Sequence, residues 1–418
     1  MSKQTGRIFI LLCLMSCLVF TCTACAATPE PTIPEASTAP APTETEFVWP
    51  ANTLRSDTVT FTHGQRSQWG DDAASWPVFG SELLRKQISS VTFLDTLSGA
   101  PDSAWDVSAG NDGSVLAWTE ANGDLYDLFI GAEGGMDGTE ECNTLFAGYV
   151  NAESITFGGH LRTNTVTDFS DLFLGCKNLT QVDVQTLDTS AALHLSGLFY
   201  GCEALPALDL SGMDVASAVD FSKMFYGCKK LTTLDLSGFQ TTAAQDMSMM
   251  FYGCQALNTL DISSFVTDHV SNFSGLFYRC YSLKSLDLSH FNTASATDMS
   301  SMFYGCFDLQ DVNVSSFDTS SVTTMSAMFS GCYAMAALDI SNFNTAAVTN
   351  MSNMFQGCGS LERLNLDSFD TGAVEDVSYM LFECNAIALE DLEALDFSSV
   401  TNYESFMDGN KWKYLFEK

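Results

Sequence analysis

Positive charge is what this sequence has least of. Its 418 residues hold 17 Lys and Arg against 51 Asp and Glu, a formal net charge of -34 at pH 7. A surface that acidic repels nucleic-acid phosphates and anionic lipid headgroups, so no nucleic acid is expected as a partner; cations, basic proteins or plain solubility suit it better. Long apolar runs are scarce too: beyond the first 25 residues nothing is long and apolar enough to span a bilayer. Histidine is rare, and His63, His160, His194, His269 and His290 fall in loops or at variable positions. No G-x-S-x-G, H-E-x-x-H, P-loop or dinucleotide fingerprint is present. No enzyme and no cofactor are therefore expected. Core material is not lacking, because 46% hydrophobic and 12% aromatic residues are enough to build one.

Residues 1–25 read as a targeting segment. Lys3 and Arg7 form a basic start, and Ile8 to Phe20 an apolar stretch too short to span. Cys22-Thr23-Ala24-Cys25 then resembles the bacterial lipobox, with Cys22 where that motif usually has leucine. The resemblance implies cleavage before Cys25 and its acylation, hence a lipid anchor on the extracellular face of a bacterial membrane, with secretion as the alternative. Residues 26–46, rich in Pro, Thr and Ala, read as an extended tether.

Cysteine spacing organises the rest. Cys176, Cys202, Cys228, Cys254, Cys280, Cys306, Cys332, Cys358 and Cys384 recur every 26 residues. A fixed period of this size means a stacked array. In the unit from Asp246 to Phe265, Met247, Met250, Phe251 and Cys254 sit at i, i+3, i+4 and i+7, which predicts one face of a short helix. Asp246 is placed to cap it, and Asp220, Asn272, Asp298, Thr324, Asn350 and Asp376 stand at the same place elsewhere. Leu257, Leu260 and Ile262 alternate into a strand. The expected architecture is therefore an α/β solenoid, a short strand plus a short helix per repeat, about ten units long. Helices are wider than strands, so the strand face should be concave.

Each position of the unit forms a column. Phe173 to Phe355 make an aromatic one. Ser170 to Ser378 and Thr189 to Thr371 make hydroxyl columns placed to satisfy backbone groups left open between repeats. Nine cysteines on a buried face read as inert thiols, although stacked strands about 4.8 Å apart would admit disulfides. A single-file column cannot surround a metal tetrahedrally. The aspartate of L-x-x-L-D-L-S points out of the sheet, so Asp183, Asp209, Asp235, Asp261, Asp287, Asp339 and Asp396 line one exposed face, interrupted by Asn313 and Asn365. Carboxylates about 5 Å apart repel by roughly 1 kcal/mol per pair in water. Calcium or a basic partner would relieve that; alternatively these are simply solvated strand positions with splayed side chains. Acidic pairs copied in every repeat are not the signature of a catalytic pair.

Leu283-Lys-Ser-Leu286-Asp287-Leu288-Ser289-His-Phe291-Asn-Thr293, followed by Thr297-Asp298-Met299-Ser300-Ser-Met302-Phe303-Tyr-Gly305-Cys306, resembles the BspA-type leucine-rich repeat surface proteins over roughly residues 142 to 400. The resemblance implies a right-handed leucine-rich-repeat-like solenoid on a cell surface, adhesion to a host matrix or bacterial surface protein or glycan, and no catalytic residues. The membrane would be met only through the lipid anchor. A structural or decoy protein without a dedicated ligand is the alternative.

Residues 142–397 form the solenoid on this reading and 398–418 a C-terminal cap. Residues 47–141 differ in kind, with Trp49, Trp69, Trp76, Trp105 and Trp118. Asn122-Gly123 between Val115–Glu120 and Asp124–Ile130 predicts a hairpin, and Val91 to Leu97 another strand. A β-rich N-terminal cap is expected here, with a ligand-binding module or an unrecognised activity as alternatives.

Overall fold

The structure is a computed structural model and describes residues 53–54, 73–140, 142–388, 398–406 and 408. The predicted leader, Cys25, the tether, Trp49, Trp69 and Asp396 lie outside the described residues.

The N-terminal region is a sheet. β1 (Ile88–Leu94), β2 (Trp105–Asp106), β3 (Leu116–Asn122) and β4 (Leu125–Gly131) come first along the chain. The hairpin forms where Asn122-Gly123 predicts it: β3 and β4 are antiparallel with Asn122 opposite Leu125, and Gly123 takes the left-handed φ of 61° that such a tight turn requires. β5 (Met136–Asp137), β6 (Ser154–Thr156), β7 (Leu161–Arg162) and β8 (Gln181–Val182) follow. The six-stranded sheet runs β2-β3-β4-β1-β6-β8, so the N-terminal strands continue directly into the first coils and cover an edge otherwise open to pairing. Arg85 fastens the same join. It is 1% exposed, donates to the carbonyls of Thr144 and Ala147 at 2.8 Å each, and lies against the rings of Trp76 and Tyr149.

From residue 142 onward the chain winds in 26-residue coils. One apolar cluster runs from Leu54 to Val400 through all of them. The phenylalanine column is a continuous stack, with Phe199, Phe225 and Phe251 at centroid spacings of 5.8 and 5.5 Å. Truncating one such fully buried ring to alanine costs ~3–5 kcal/mol.

The helix predicted in each repeat is absent: among the described residues 142–388 the segments equivalent to 247–254 are successive turns, not α-helix. Two left-handed residues stand four apart in each coil, such as Met249 (φ 55°) and Gly253 (φ 71°), and an α-helix tolerates neither. The amide groups divide their bonds accordingly. Met250, Tyr252 and Cys254 donate three residues back, while Met247, Met249, Phe251 and Gly253 donate to Asn272, Ser274, Leu276 and Tyr278 of the next coil. The i, i+3, i+4, i+7 spacing is obeyed by both structures, because consecutive turns also return Met247, Met250, Phe251 and Cys254 to the interior, all at 0% exposure. The predicted caps keep their chemistry without a helix: Asp246 Oδ1 accepts from the amide of Ser248 at 2.7 Å. With the helices goes the argument that their width makes the strand face concave.

Strands are short. β9 (Ala207–Asp209) pairs in parallel with β10 (Thr233–Asp235), β11 (Ser285–Asp287) with β12 (Asp311–Asn313), and β13 (Ala337–Leu338) with β14 (Arg363–Leu364). The strand face is thus a series of pairs, whereas the turn face is bonded coil to coil without a break from Cys142 to Glu383.

Candidate binding faces

The predicted aspartate column does lie on an exposed strand edge, but its carboxylates are engaged. Asp209 Oδ1 accepts from the Ser211 hydroxyl at 2.7 Å and its amide at 3.1 Å. Asp235, Asp261 and Asp287 accept from the amides of Ser237, Ser263 and Ser289, each at 3.0 Å. Asp339 accepts from the hydroxyl and amide of Ser341. Asp183 differs, its two oxygens taking the amides of Phe157 and Gly158. These are Asx turns at a corner of the coil. Asn313 and Asn365 fill the same role with an amide oxygen, which is why asparagine can interrupt the column. The bonds from Ser211, Ser263, Ser289 and Ser341 hold the carboxyls of Asp209, Asp261, Asp287 and Asp339 below their ordinary range. Asp188, Asp214, Asp318 and Asp370 make a second corner in the same way, and Asp168, Asp220, Asp246, Asp298 and Asp376 a third. Much of the acidity of the chain is corner chemistry. Among the described residues no group of three or more His, Cys, Asp or Glu is gathered to hold a metal.

Beside this column a cleft of about 320 Å³ opens between two coils, lined by Thr232, Thr233, Leu234, Thr259, Leu260 and Asp261. The residues 259–261 form no strand, and the half-buried Leu234 and Leu260 face an opening that other coils keep shut, as Leu208 and Leu286 at 5% and 4% exposure show.

The threonine column does what its position predicts. The Thr319 hydroxyl accepts the amide of Asn344 at 2.7 Å and donates to the Asn344 carbonyl at 2.8 Å. In the serine column the bonds differ from coil to coil: Ser196 and Ser222 share a bond at 2.9 Å, and Ser274 bonds Asn272. All nine column cysteines, and Cys142, are free and buried. Each column thiol donates to a phenylalanine carbonyl of the preceding coil, as Cys228 does to Phe199 at 3.3 Å. Burial pushes the thiols of Cys228 and Cys306 up to about 12.

The turn face carries residues the sequence reading missed. Tyr200, Tyr226, Tyr252, Tyr278 and Tyr304 stack at 4.4, 4.1, 4.4 and 4.5 Å with nearly parallel rings, half-buried. Burial, then the neighbouring Tyr252 and Tyr200, raises the Tyr226 hydroxyl. Beside them Tyr281, Phe307 and Tyr333 stack at 4.6 and 5.1 Å, with Phe307 and Tyr333 38% and 52% exposed. Arg279 sits between the two rows, 5.4 Å from the Tyr278 ring. The signal was legible as tyrosine repeating just before the glycine of each unit.

A family model described as Mycoplasma protein of unknown function, DUF285, matches residues 140–259, 232–314 and 306–414. This chain belongs to the DUF285 family. The tandem matches span the coils from the first turn segment onward, and they bear out the resemblance to BspA-type leucine-rich repeats. The DUF285 coils are those of a repeat protein. No curated protein matches the chain. A solved leucine-rich repeat protein from Eubacterium ventriosum is similar at 14% identity, over 67% of this chain and 82% of that one, with a TM-score of 0.25.

Proposed function

We propose that this chain is a non-catalytic surface protein, held at the cell exterior through Cys25 and the tether 26–46, whose coil array docks a protein or glycan partner, with adhesion as the purpose. One observation carries the reading. The array keeps a constant interior while its exposed strand positions change from coil to coil: Ala207, Thr233, Ser285, Asp311, Ala337 and Arg363 occupy equivalent outward sites, beside the buried Leu208, Leu286, Val312, Leu338 and Leu364. A surface that varies on a fixed scaffold is how repeat arrays recognise partners. The acidic corner column Asp183, Asp209, Asp235, Asp261, Asp287 and Asp339 remains a contact surface for a basic partner through the carboxylate oxygens that the turns do not use.

The test is binding of the residues 26–418 to a panel of matrix proteins and glycans, with and without calcium. Saturable binding to one member supports the reading. Absence of binding across the panel sinks it and turns attention to a structural role.

A further inference from the structure

Charge is segregated within each coil, and the segregation points to a second recognition surface. The eight turn segments 169–178, 195–204, 221–230, 247–256, 273–282, 299–308, 325–334 and 351–360 contain three acidic residues, Asp171, Glu203 and Asp308. They contain five basic ones, Lys177, Lys223, Lys229, Lys230 and Arg279. In a chain with 51 acidic residues against 17 basic ones, this is the face on which the sign reverses. Asp171 is buried, and Glu203 is paired with Lys229 at 2.7 Å. The same face carries the two aromatic rows, so Lys223, Lys229, Lys230 and Arg279 flank a line of tyrosine edges.

We propose that this face, from the coil of Tyr200 to that of Tyr333, docks an acidic polysaccharide, which gives the binding reading above its site and ligand class. Three features favour that occupant. The strip spans five coil spacings, roughly 24 Å at about 4.8 Å each, and is one turn segment wide. A globular protein needs about 800 Å² on each side of a standard interface, whereas a linear polymer fits a strip. An extended peptide finds no ladder to join, because the segment amides already bond within their turn or to the next coil. The stacked rings cover one another's faces, so bases cannot stack between them as they do on single-strand nucleic-acid platforms. What the rings present outward is edges and hydroxyls, which suit a hydroxyl-rich chain. Arg279 supplies a planar fork for a carboxylate. At the end of the exposed row Tyr333 is 52% exposed, and the equivalent position one coil on is Gly359, which leaves room for a pyranose beside the ring. The acidic corners do not oppose this strongly, because at physiological ionic strength charges are screened over about 8 Å.

The experiment titrates the full chain with polygalacturonate and with hyaluronan at about 0.15 M salt, with dextran, polyglutamate and poly(U) as controls. The expected result is saturable binding of at least one of the two acidic polysaccharides and none of the controls. Combined Lys229→Gln, Lys230→Gln and Arg279→Gly weaken it at least tenfold, and Asp235→Asn with Asp261→Asn change it less than twofold. Tyr333→Gly, the residue the next coil carries, weakens it in a protein whose urea midpoint is close to the parent's, so a folding defect in the triple variant does not decide the matter. Failure of both polysaccharides to bind overturns the proposal. So does equal binding of polyglutamate or poly(U), or loss of binding in the aspartate variants alone. If the chain ignores both acidic polysaccharides yet holds a matrix protein or neutral glycan, the strip falls and the wider binding reading stands.

Discussion

Thr241 and Val266 are joined in both directions across a coil boundary: the Thr241 hydroxyl accepts the Val266 amide at 2.9 Å and donates to the Val266 carbonyl at 2.8 Å. The side chain stands in for a rung of the backbone ladder where the chain bends. Thr267 serves Asn292 in the same way, at 2.8 and 2.9 Å, and is 2% exposed. Thr267→Val keeps the shape and strands both groups of Asn292. At ~1–3 kcal/mol for each unsatisfied group, a loss of about 2–4 kcal/mol is expected. Thr267→Ser retains both bonds and should cost less than about 1 kcal/mol. Urea unfolding of the two variants separates them; equal midpoints would refute the rung role.

The corner aspartates act through an acceptor oxygen, so charge and structure can be separated. Asp261→Asn should leave the urea midpoint nearly unchanged, while Asp261→Ala should lower stability by ~1 kcal/mol, the usual worth of such a bond. The pH dependence has a fixed sign. The carboxyls of Asp209, Asp261, Asp287 and Asp339 have folded pKa values below their unfolded ones. Their contribution is present above the unfolded value near 3.9 and lost as pH falls through the lower folded value. Thermal scans should show stability falling from about pH 5 downward, and the fourfold Asp→Asn variant should flatten that slope. Added calcium should leave the melting temperature where it is, since each of these carboxylates already has its partner; a clear rise would reinstate the cation site.

The column thiols should be silent until the chain unfolds. With Cys228 and Cys306 pushed up to about 12 by burial, almost no thiolate exists at pH 8, and thiolate is the reactive form. An aromatic disulfide reagent should label none of the column cysteines in the native protein and all of them in denaturant. Because the folded values are raised, this stability is complete below the unfolded pKa near 8.5 and declines as pH rises above it. Rapid native labelling of several column thiols would contradict the packing.

Two substitutions in one turn segment should move stability in opposite directions. Ala327 holds a left-handed φ of 54°, a conformation that costs a non-glycine residue roughly 1–2 kcal/mol. Ala327→Gly relieves it and should stabilise by about 0.5–1 kcal/mol after the extra unfolded-state entropy of glycine. Gly331, at φ 75°, has room for a methyl group, the nearest atom being the Gly305 Cα at 3.5 Å. Gly331→Ala should nevertheless cost about 1–2 kcal/mol, from backbone conformation alone. Matched signs would mean that the segment is not built from these turns.

How much of this was written in the sequence depended on which property each residue type reports. Cys202 to Cys384 reported the coil length, because a buried column repeats with the winding whatever lies between. Asn122-Gly123 reported its hairpin, because few other backbones want that pair. The spacing of Met247, Met250, Phe251 and Cys254 reported burial but not its local form, since helix and stacked turns bury the same residues. The distinguishing signal was Gly253 four residues after a position that elsewhere holds Gly197 or Gly275, too short an interval for a helix between two left-handed residues. The aspartate column was legible as exposed, and its exchange with Asn313 and Asn365 carried the reason. The tyrosine row stayed hidden because it lay in the segment read as a helix, and a helix would have turned its neighbouring columns away from a common face.

Every contact between coils is written at a constant offset: a thiol reaches the carbonyl 29 residues back, and a threonine the residue 25 ahead. Nothing in that arithmetic specifies how many coils there are. Excising the 26 residues Asp246 to Ser271 would join Gln245 to Asn272 and preserve every offset across the seam, whereas excising one residue more or fewer would misalign all columns at once. Length can therefore change by duplication or loss of whole coils at no cost to the interior, so the extent of the outward surface is heritable separately from the fold that displays it.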